Sequence, residues 1–273
     1  MRTAVVGHVE WVEFARVNRV PIAGEIVQAT EVWAEPAGGG GVASVQLARL
    51  AGGCTLLTAL GRDELGERAL TRLTGLGVRV DARRHEAPQR RGFTFVDDAG
   101  ERTITIIGQK HVPRRGDDLS WERLAETDAV YFVSGDAAGA RAARRARVLV
   151  ATARVLPVLA EAGVELDALV RSGRDRDERY VPGDLDPPPR LAVATAGSDG
   201  GIWTTADGRS GTYEPQPLPG ALEDSYGAGD SFAAGLTYAL GRGHDVEAAV
   251  AFAAACASAA LARRGAHGRA EPS

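Results

Sequence analysis

The chain predicts an α/β fold with a central, mainly parallel sheet and a small β-lid. Three observations carry that expectation. The chain opens on a β-rich run at residues 3–9 that includes Gly7, short apolar runs alternate with helical-period segments through residues 129–170, and a glycine turn leads straight into a helix at 227–240. Taken in order, residues 3–9 read as a first, buried strand ending at a turn. Residues 12–33 alternate loosely between apolar and polar and are broken by Pro21 and Gly24, a pattern of exposed strands. The four glycines 38–41 read as a loop opening a helix at 42–50, followed by a buried strand at 54–60 and an amphipathic helix at 64–75 that ends on Gly75 and Gly77. Residues 92–96 and 102–107 read as a hairpin around Asp97, Asp98, Ala99 and Gly100. Beyond residue 129, strands at 129–133, 148–151 and 166–170 alternate with helical segments at 141–147 and 157–162, residues 175–189 read as a polar, proline-rich loop, and a strand follows at 191–194. No internal repeat or linker is visible. One domain over residues 1–273 is therefore expected, with the lid built from about 10–35 and 90–110.

The 273 residues are 44% hydrophobic and 25% charged, which excludes a chain disordered throughout. A formal net charge of −4 and a pI near 5.8 give no overall basic field, so nucleic acid and anionic membrane are not expected partners. Cys54 and Cys256 show no C-x-x-C spacing, which predicts free thiols in a reducing compartment and no structural zinc. The start turns acidic at Glu10 before a signal-peptide core can form, and the apolar run at 248–261 is alanine-rich and too short to span a bilayer. A cytoplasmic protein is expected. The five histidines (His8, His85, His111, His244, His267) lack metal-ligand spacing, and Arg141, Arg144, Arg145 and Arg147 read as a solvated charged face.

The chemically loaded segment is Asp224-Ser225-Tyr226-Gly227-Ala228-Gly229-Asp230-Ser231-Phe232. Small residues at 227–229 let a ligand approach the backbone, and amides opening a helix make an anion pocket. An aspartate inside that turn repels a resting phosphate, so Asp230 makes most sense as the acceptor of a proton from a hydroxyl that attacks the phosphate. The plain alternative is a helix cap on a glycine turn.

With this segment the sequence resembles the ribokinase-like carbohydrate kinases, the PfkB family, whose signature reads D-T-x-G-A-G-D; here Ser225 stands for the threonine. The resemblance extends to the glycine segment at 38–50, Gly61-Arg62-Asp63 with Gly66, Gly77-Val78, the D-x-x-G-E-R hairpin at 97–102, and Thr195-Ala196-Gly197-Ser198-Asp199-Gly200. It implies a three-layer sandwich and ATP-dependent phosphorylation of an alcohol group on a sugar, sugar derivative or nucleoside, with GTP as an alternative donor. It implies Asp230 as catalytic base and the amides of Gly227, Ala228 and Gly229 as an anion hole. Thr195, Gly197 and Gly200 become the nucleotide-side turn, and Gly39 and Gly40 come to lie beside the substrate. Mg²⁺ is the implied cofactor. A K⁺ site is also implied, at the Asp224 side chain and the carbonyls of Tyr226, Ala260 and Gly265, as is a homodimer formed through the lid.

The pattern departs from the family in four places. Val42 stands where the family carries a substrate-touching asparagine. Glu10 or Glu13 must replace the aspartate that the first strand delivers to sugar hydroxyls. The N-x-x-E metal motif aligns with Ser172-Gly173-Arg174-Asp175, leaving Asp175 as its carboxylate, with Glu178 the nearest substitute. Only 19 residues separate Asp175 from Thr195, where relatives commonly carry another helix and strand, so a missing sheet element is expected. These departures leave a second reading, a ribokinase-fold ligand-binding or regulatory protein with weakened catalysis. Trp11, Phe14, Trp33 and Phe93 are the aromatics in lid-like segments available for stacking on a nucleoside base.

Overall fold

A computed structural model of the chain describes residues 1–268. The strands and helices run β1 (Thr3–Val6), β2 (Glu10–Arg16), β3 (Glu31–Ala37), α1 (Gly38–Ala51), β4 (Cys54–Gly61), α2 (Glu64–Gly75), β5 (Val78–His85), β6 (Arg91–Val96) and β7 (Arg102–Ile107). They continue with β8 (Ala129–Phe132), α3 (Ala137–Ala143), β9 (Val148–Thr152), α4 (Leu156–Ala162), β10 (Ala168–Ser172), β11 (Leu191–Thr195), β12 (Gly201–Thr205), β13 (Ser210–Tyr213), α5 (Ala228–Gly241) and α6 (Val246–Leu261). A nine-stranded sheet has the order β13-β12-β11-β10-β9-β8-β1-β4-β5, parallel from β5 to β11 and antiparallel at β12 and β13. A second sheet, β3-β2-β6-β7, has four strands.

The parallel strands are covered on both faces, so they read as apolar runs without polar alternation: all four residues of β1 and all five of β9 are buried. Alternate side chains feed two cores. Val5, Tyr131 and Val150 pack with α1, α2, α5 and α6, whereas Val6, Phe132 and Leu149 pack with α3, α4 and the short 3₁₀ segment Trp121–Glu126. The α5 and α6 helices approach closely because Gly235 leaves the space a Cβ would need, 2.9 Å from Cys256 Cβ. Among the described residues both cysteines are free and buried, and no helix is long and apolar enough to cross a membrane.

Two expectations need correcting. The glycines 38–41 form the first turn of α1 and not a loop. A Cβ at Gly40 would sit 2.6 Å from the His8 carbonyl oxygen, and one at Gly7 would sit 2.8 Å from Gly40 Cα; the link from β1 to β2 therefore crosses the helix start at backbone contact distance. In addition, β10 pairs directly and in parallel with β11, and the intervening residues hold only a 3₁₀ turn, Arg176–Glu178. What the short spacing removes is the helix that a parallel crossover usually carries. The sequence carries no strand pattern for β5, β12 and β13, because β5 is half exposed and rich in arginine, and β12 and β13 lie at the sheet edge.

Candidate active site

The parallel strands β1, β8, β9 and β10 end together. Just beyond their carboxyl ends lie His8, Ser134, Arg154 and Glu178, the usual place for ligands on an open α/β sheet. The α5 N-terminus completes this edge. Gly227 caps it with φ +76°, a left-handed conformation that a side chain opposes; a Cβ there would also meet Val42 Cγ1 at 2.9 Å. The amides of Ala228 and Gly229 have no protein acceptor among the described residues, whereas Ser231 already donates to the Gly227 carbonyl. A Cβ at Gly229 would meet nothing within 4 Å, so the open side of this turn is free for a ligand.

Asp230 lies in the first turn of α5, half buried, and its carboxyl is pushed up to about 6. Desolvation is the main cause and the Glu178 charge the second, offset by Arg154 and Arg102. A Cβ at Gly39 would lie 3.0 Å from Asp230 Oδ1, so only glycine leaves the carboxylate unobstructed on that side.

The two candidate carboxylates of β2 separate by strand alternation. Glu10 shares a face with Val12 and Phe14, which pack against Val42 and Tyr226, and its charge is felt at Asp230. It is 6% exposed, is raised by burial, and meets Arg90 Nε at 3.0 Å and His8 Nε2 at 3.7 Å. Glu13 lies on the opposite face with Trp11 and pairs with Arg91. Val42 is core, with no polar atom to offer a substrate.

In the segment that aligns with the metal motif, Asp175 and Glu178 sit in different surroundings. Asp175 caps its own 3₁₀ turn by accepting the Asp177 amide at 2.9 Å, and it pairs with Arg154 at 2.7 Å. Those contacts hold its carboxyl below the usual range, the Asp177 bond contributing most. Glu178 is the more buried of the two. It accepts the Ser172 amide at 2.6 Å, pairs with Arg154, and is the charge that repels Asp230. Two carboxylates held against their mutual repulsion suit a dication, and Mg²⁺ needs few protein ligands beside phosphates. Among the described residues no group of three or more His, Cys, Asp or Glu side chains could hold a metal.

At the turn expected to face the nucleotide, Thr195 ends β11, and Gly197–Asp199 form a 3₁₀ turn closed by the Ala196 amide on the Gly200 carbonyl at 2.8 Å. Arg174 pairs with Asp199 at 2.6 Å and joins this turn to the segment after β10. Of the residues expected at a cation site, Asp224 and the Ala260 carbonyl already accept hydrogen bonds. Asp224, 0% exposed, accepts the amides of Tyr226 and Gly265, and the Ala260 carbonyl accepts the Arg263 amide. Through the Tyr226 and Gly265 amides, the Asp224 carboxylate staples the turn to the C-terminal segment.

Sequence reasoning missed the cations. Arg90, Lys110, Arg154 and Arg102 all act on this site: the first three lower His8, and all but Arg90 act on Asp230 or are acted on by it. The Gly61-Arg62-Asp63 motif places Arg90: Asp63 accepts the amides of Gly66 and Gln89 at 2.9 Å each, and Gln89 binds the Gly61 amide and the Val9 carbonyl. The aromatics are committed elsewhere. Phe14 stacks on Trp33 at 4.9 Å, Trp11 lies under Arg68, and Phe93 packs edge-on against Phe95. The arginines on and after α3 are also engaged, with Arg144 on Asp167, Arg145 on Glu122 and Arg147 on Asp128.

Comparison with known proteins bears on the family and the fold. The family model described as pfkB family carbohydrate kinase matches residues 2–164 and 185–272. An ATP-dependent ribose-1-phosphate kinase from Halopiger xanaduensis is 32% identical over 97% of this chain and 94% of its own length. Two solved structures share the fold. A putative ribokinase from Agrobacterium tumefaciens superposes with TM-score 0.82 at 23% identity, covering 98% of this chain and 93% of that one. The Arabidopsis thaliana ribokinase complexed with ribose and ATP superposes with TM-score 0.73 at 18% identity, covering 97% and 93%. The chain belongs to the pfkB family of carbohydrate kinases.

Proposed function

We propose that this carbohydrate kinase transfers the γ-phosphoryl group of ATP to a hydroxyl of a sugar or sugar derivative, with Asp230 as the base. The observation that carries the reading is a half-buried carboxylate in the first turn of α5, its pKa pushed up by desolvation, beside amides of Ala228 and Gly229 that have no protein acceptor among the described residues. The sugar oxygen forms a bond to the γ-phosphorus, the bond from that phosphorus to the β,γ-bridging oxygen breaks, the hydroxyl proton passes to Asp230, and ADP leaves.

Ala228 and Gly229 offer amides to the phosphate oxygens, Glu10 accepts a sugar hydroxyl, and Thr195, Gly197 and Gly200 line the nucleotide side. Glu178 is the carboxylate that would hold Mg²⁺, which when bound would offset charge on the phosphates. The four-stranded sheet is read as the lid, docked here by Arg102 on the Ser225 carbonyl at 2.6 Å. A homodimer through this sheet is supported by β7, all six of whose residues are exposed, and the two free thiols support a reducing, cytoplasmic setting. The committed aromatics favour a sugar over a nucleoside. The test is ADP formation from ATP and Mg²⁺ across a sugar and nucleoside panel. Turnover with sugars supports the reading, and silence with all acceptors alongside measurable ATP binding would restore the ligand-binding reading.

A further inference from the structure

Where the crossover helix is missing, one face of the large sheet lies partly open. Val170, Val193 and Trp203 pack toward α5 and α6, so the residues between them turn to the other face, the one that α3 and α4 cover farther along the sheet. Register sets two rows of side chains across that face: Leu169, Ala192 and Thr204, then Arg171, Ala194 and Ile202. Leu169 still reaches the α3–α4 core, but at the far end of the rows Ile202 is 52% exposed. The segment that replaces the helix packs on the α3–α4 core through Leu185 and Tyr180. With Tyr180 and Pro188 it walls a cavity of about 450 Å³ whose floor is the two rows beyond Leu169.

The size and chemistry of this cavity narrow its occupant. Three strands of five residues present a face of roughly 240 Å² at ordinary strand spacing. A stable protein interface buries about 800 Å² per partner, so a second copy or a folded partner is a poor fit. The volume is that of a small-molecule pocket. Among the described residues Arg171 is the one cation on the lining, half buried, and its guanidinium makes no ion pair or hydrogen bond there. Neighbouring arginines are matched, Arg174 by Asp199 and Arg190 by Glu165. A single free guanidinium beside alanine, isoleucine and proline suits one planar carboxylate, which it can hold by two parallel N–H···O bonds. A phosphate would bring more charge than one guanidinium offsets and would find no second cation on the lining. We propose that this cavity binds a small carboxylic acid with an aromatic or branched apolar body, its carboxylate on Arg171 and its body against Tyr180, Ala194 and Ile202. The cavity lies on the opposite face of the sheet from α5, so it is separate from the site at Asp230.

The test is calorimetry on the full chain with indole-3-acetate, phenylacetate and 4-methylpentanoate, each beside its neutral amide, repeated with saturating ATP and Mg²⁺. At least one acid is expected to bind at one site with a Kd of about 1 mM or tighter, and roughly tenfold or more better than its amide. Arg171→Met removes no hydrogen bond or ion pair from the fold and should bind acid and amide alike, whereas Arg171→Lys should recover part of the preference. Ile202→Glu places a carboxylate in the same row as Arg171 and should weaken the acid about tenfold, with a melting temperature near the parent's. ATP should leave the affinity for the acid unchanged. Absence of binding by all three acids at about 10 mM overturns the site. So does an acid preference that survives in Arg171→Met. Displacement of the acid by ATP would assign it to the nucleotide site and also overturns the proposal.

Discussion

Two stretches of chain meet electrostatically at Asp230: the turn at 224–230 and the segment at 165–184. The first lies inside the family match, and the second is the part the match skips. The turn holds its shape by local necessities, a left-handed Gly227 over Val42 and an Asp224 staple to Gly265, and leaves amides with no protein acceptor among the described residues. The other segment has lost its crossover helix, yet it still delivers a carboxylate to the same place through Arg154 and the Ser172 amide. The difference teaches that an anion hole needs a particular backbone, whereas a metal-side carboxylate needs only to arrive at a position, by whatever local route.

The largest effect should come from the turn. Asp230→Asn keeps the shape and removes the proton acceptor, so kcat should fall at least roughly 10²-fold with nucleotide affinity near the parent's in calorimetry. Turnover within a few-fold of the parent would move the base elsewhere. Next, Gly229→Val places a side chain where the structure has open space, so the protein should fold normally while KM for ATP rises about tenfold or more. An unchanged KM would put the phosphates elsewhere.

A smaller effect belongs to the second segment. Glu178→Gln should raise the Mg²⁺ concentration for half-maximal rate by several-fold, and Asp175→Asn should leave that curve nearly in place. The reverse order would return the metal role to the residue that sequence spacing singled out.

The smallest effect concerns the strap that steadies the turn. Glu35, which accepts the Ala266 amide at 2.8 Å, is raised to about 7, chiefly by burial. Its folded pKa lies above its ordinary value of 4.5, so the fold binds more protons than the unfolded chain between those values, and stability is lost as pH rises through about 7. Glu35→Gln should therefore melt a few degrees higher than the parent at pH 8, with the gap closing toward pH 5. A gap that widens toward pH 5 would contradict that sign.

Much of the fold was legible because buried parallel strands and amphipathic helices write themselves in period: β1, β4, α2 and the β6–β7 hairpin fall where the sequence places them. The glycines of α1 were misread because their purpose is tertiary, the close passage of His8, which no local pattern records. Within the site, the signature around Asp230 was legible from spacing. Strand alternation, already available in the sequence, separates Glu10 from Glu13 only once a core is known to lie on the Val12 and Phe14 side. Arg90, Lys110 and Arg154 come from three separate loops and carry no shared motif. The lone lysine was the one signal that counting residues could have raised.

That the two stretches share one site through Asp230 is tested most directly by the pH dependence of kcat/KM for the parent and for Glu178→Gln on one acceptor, whose own titration is common to both. The account predicts an acid limb near pH 6 in the parent, where Asp230 gains its proton. Removing the Glu178 charge lowers the pKa of Asp230, so the limb should move to lower pH in the variant. Superimposed limbs in the two proteins would contradict it, because Glu178 would then exert no field on the group that limits the rate.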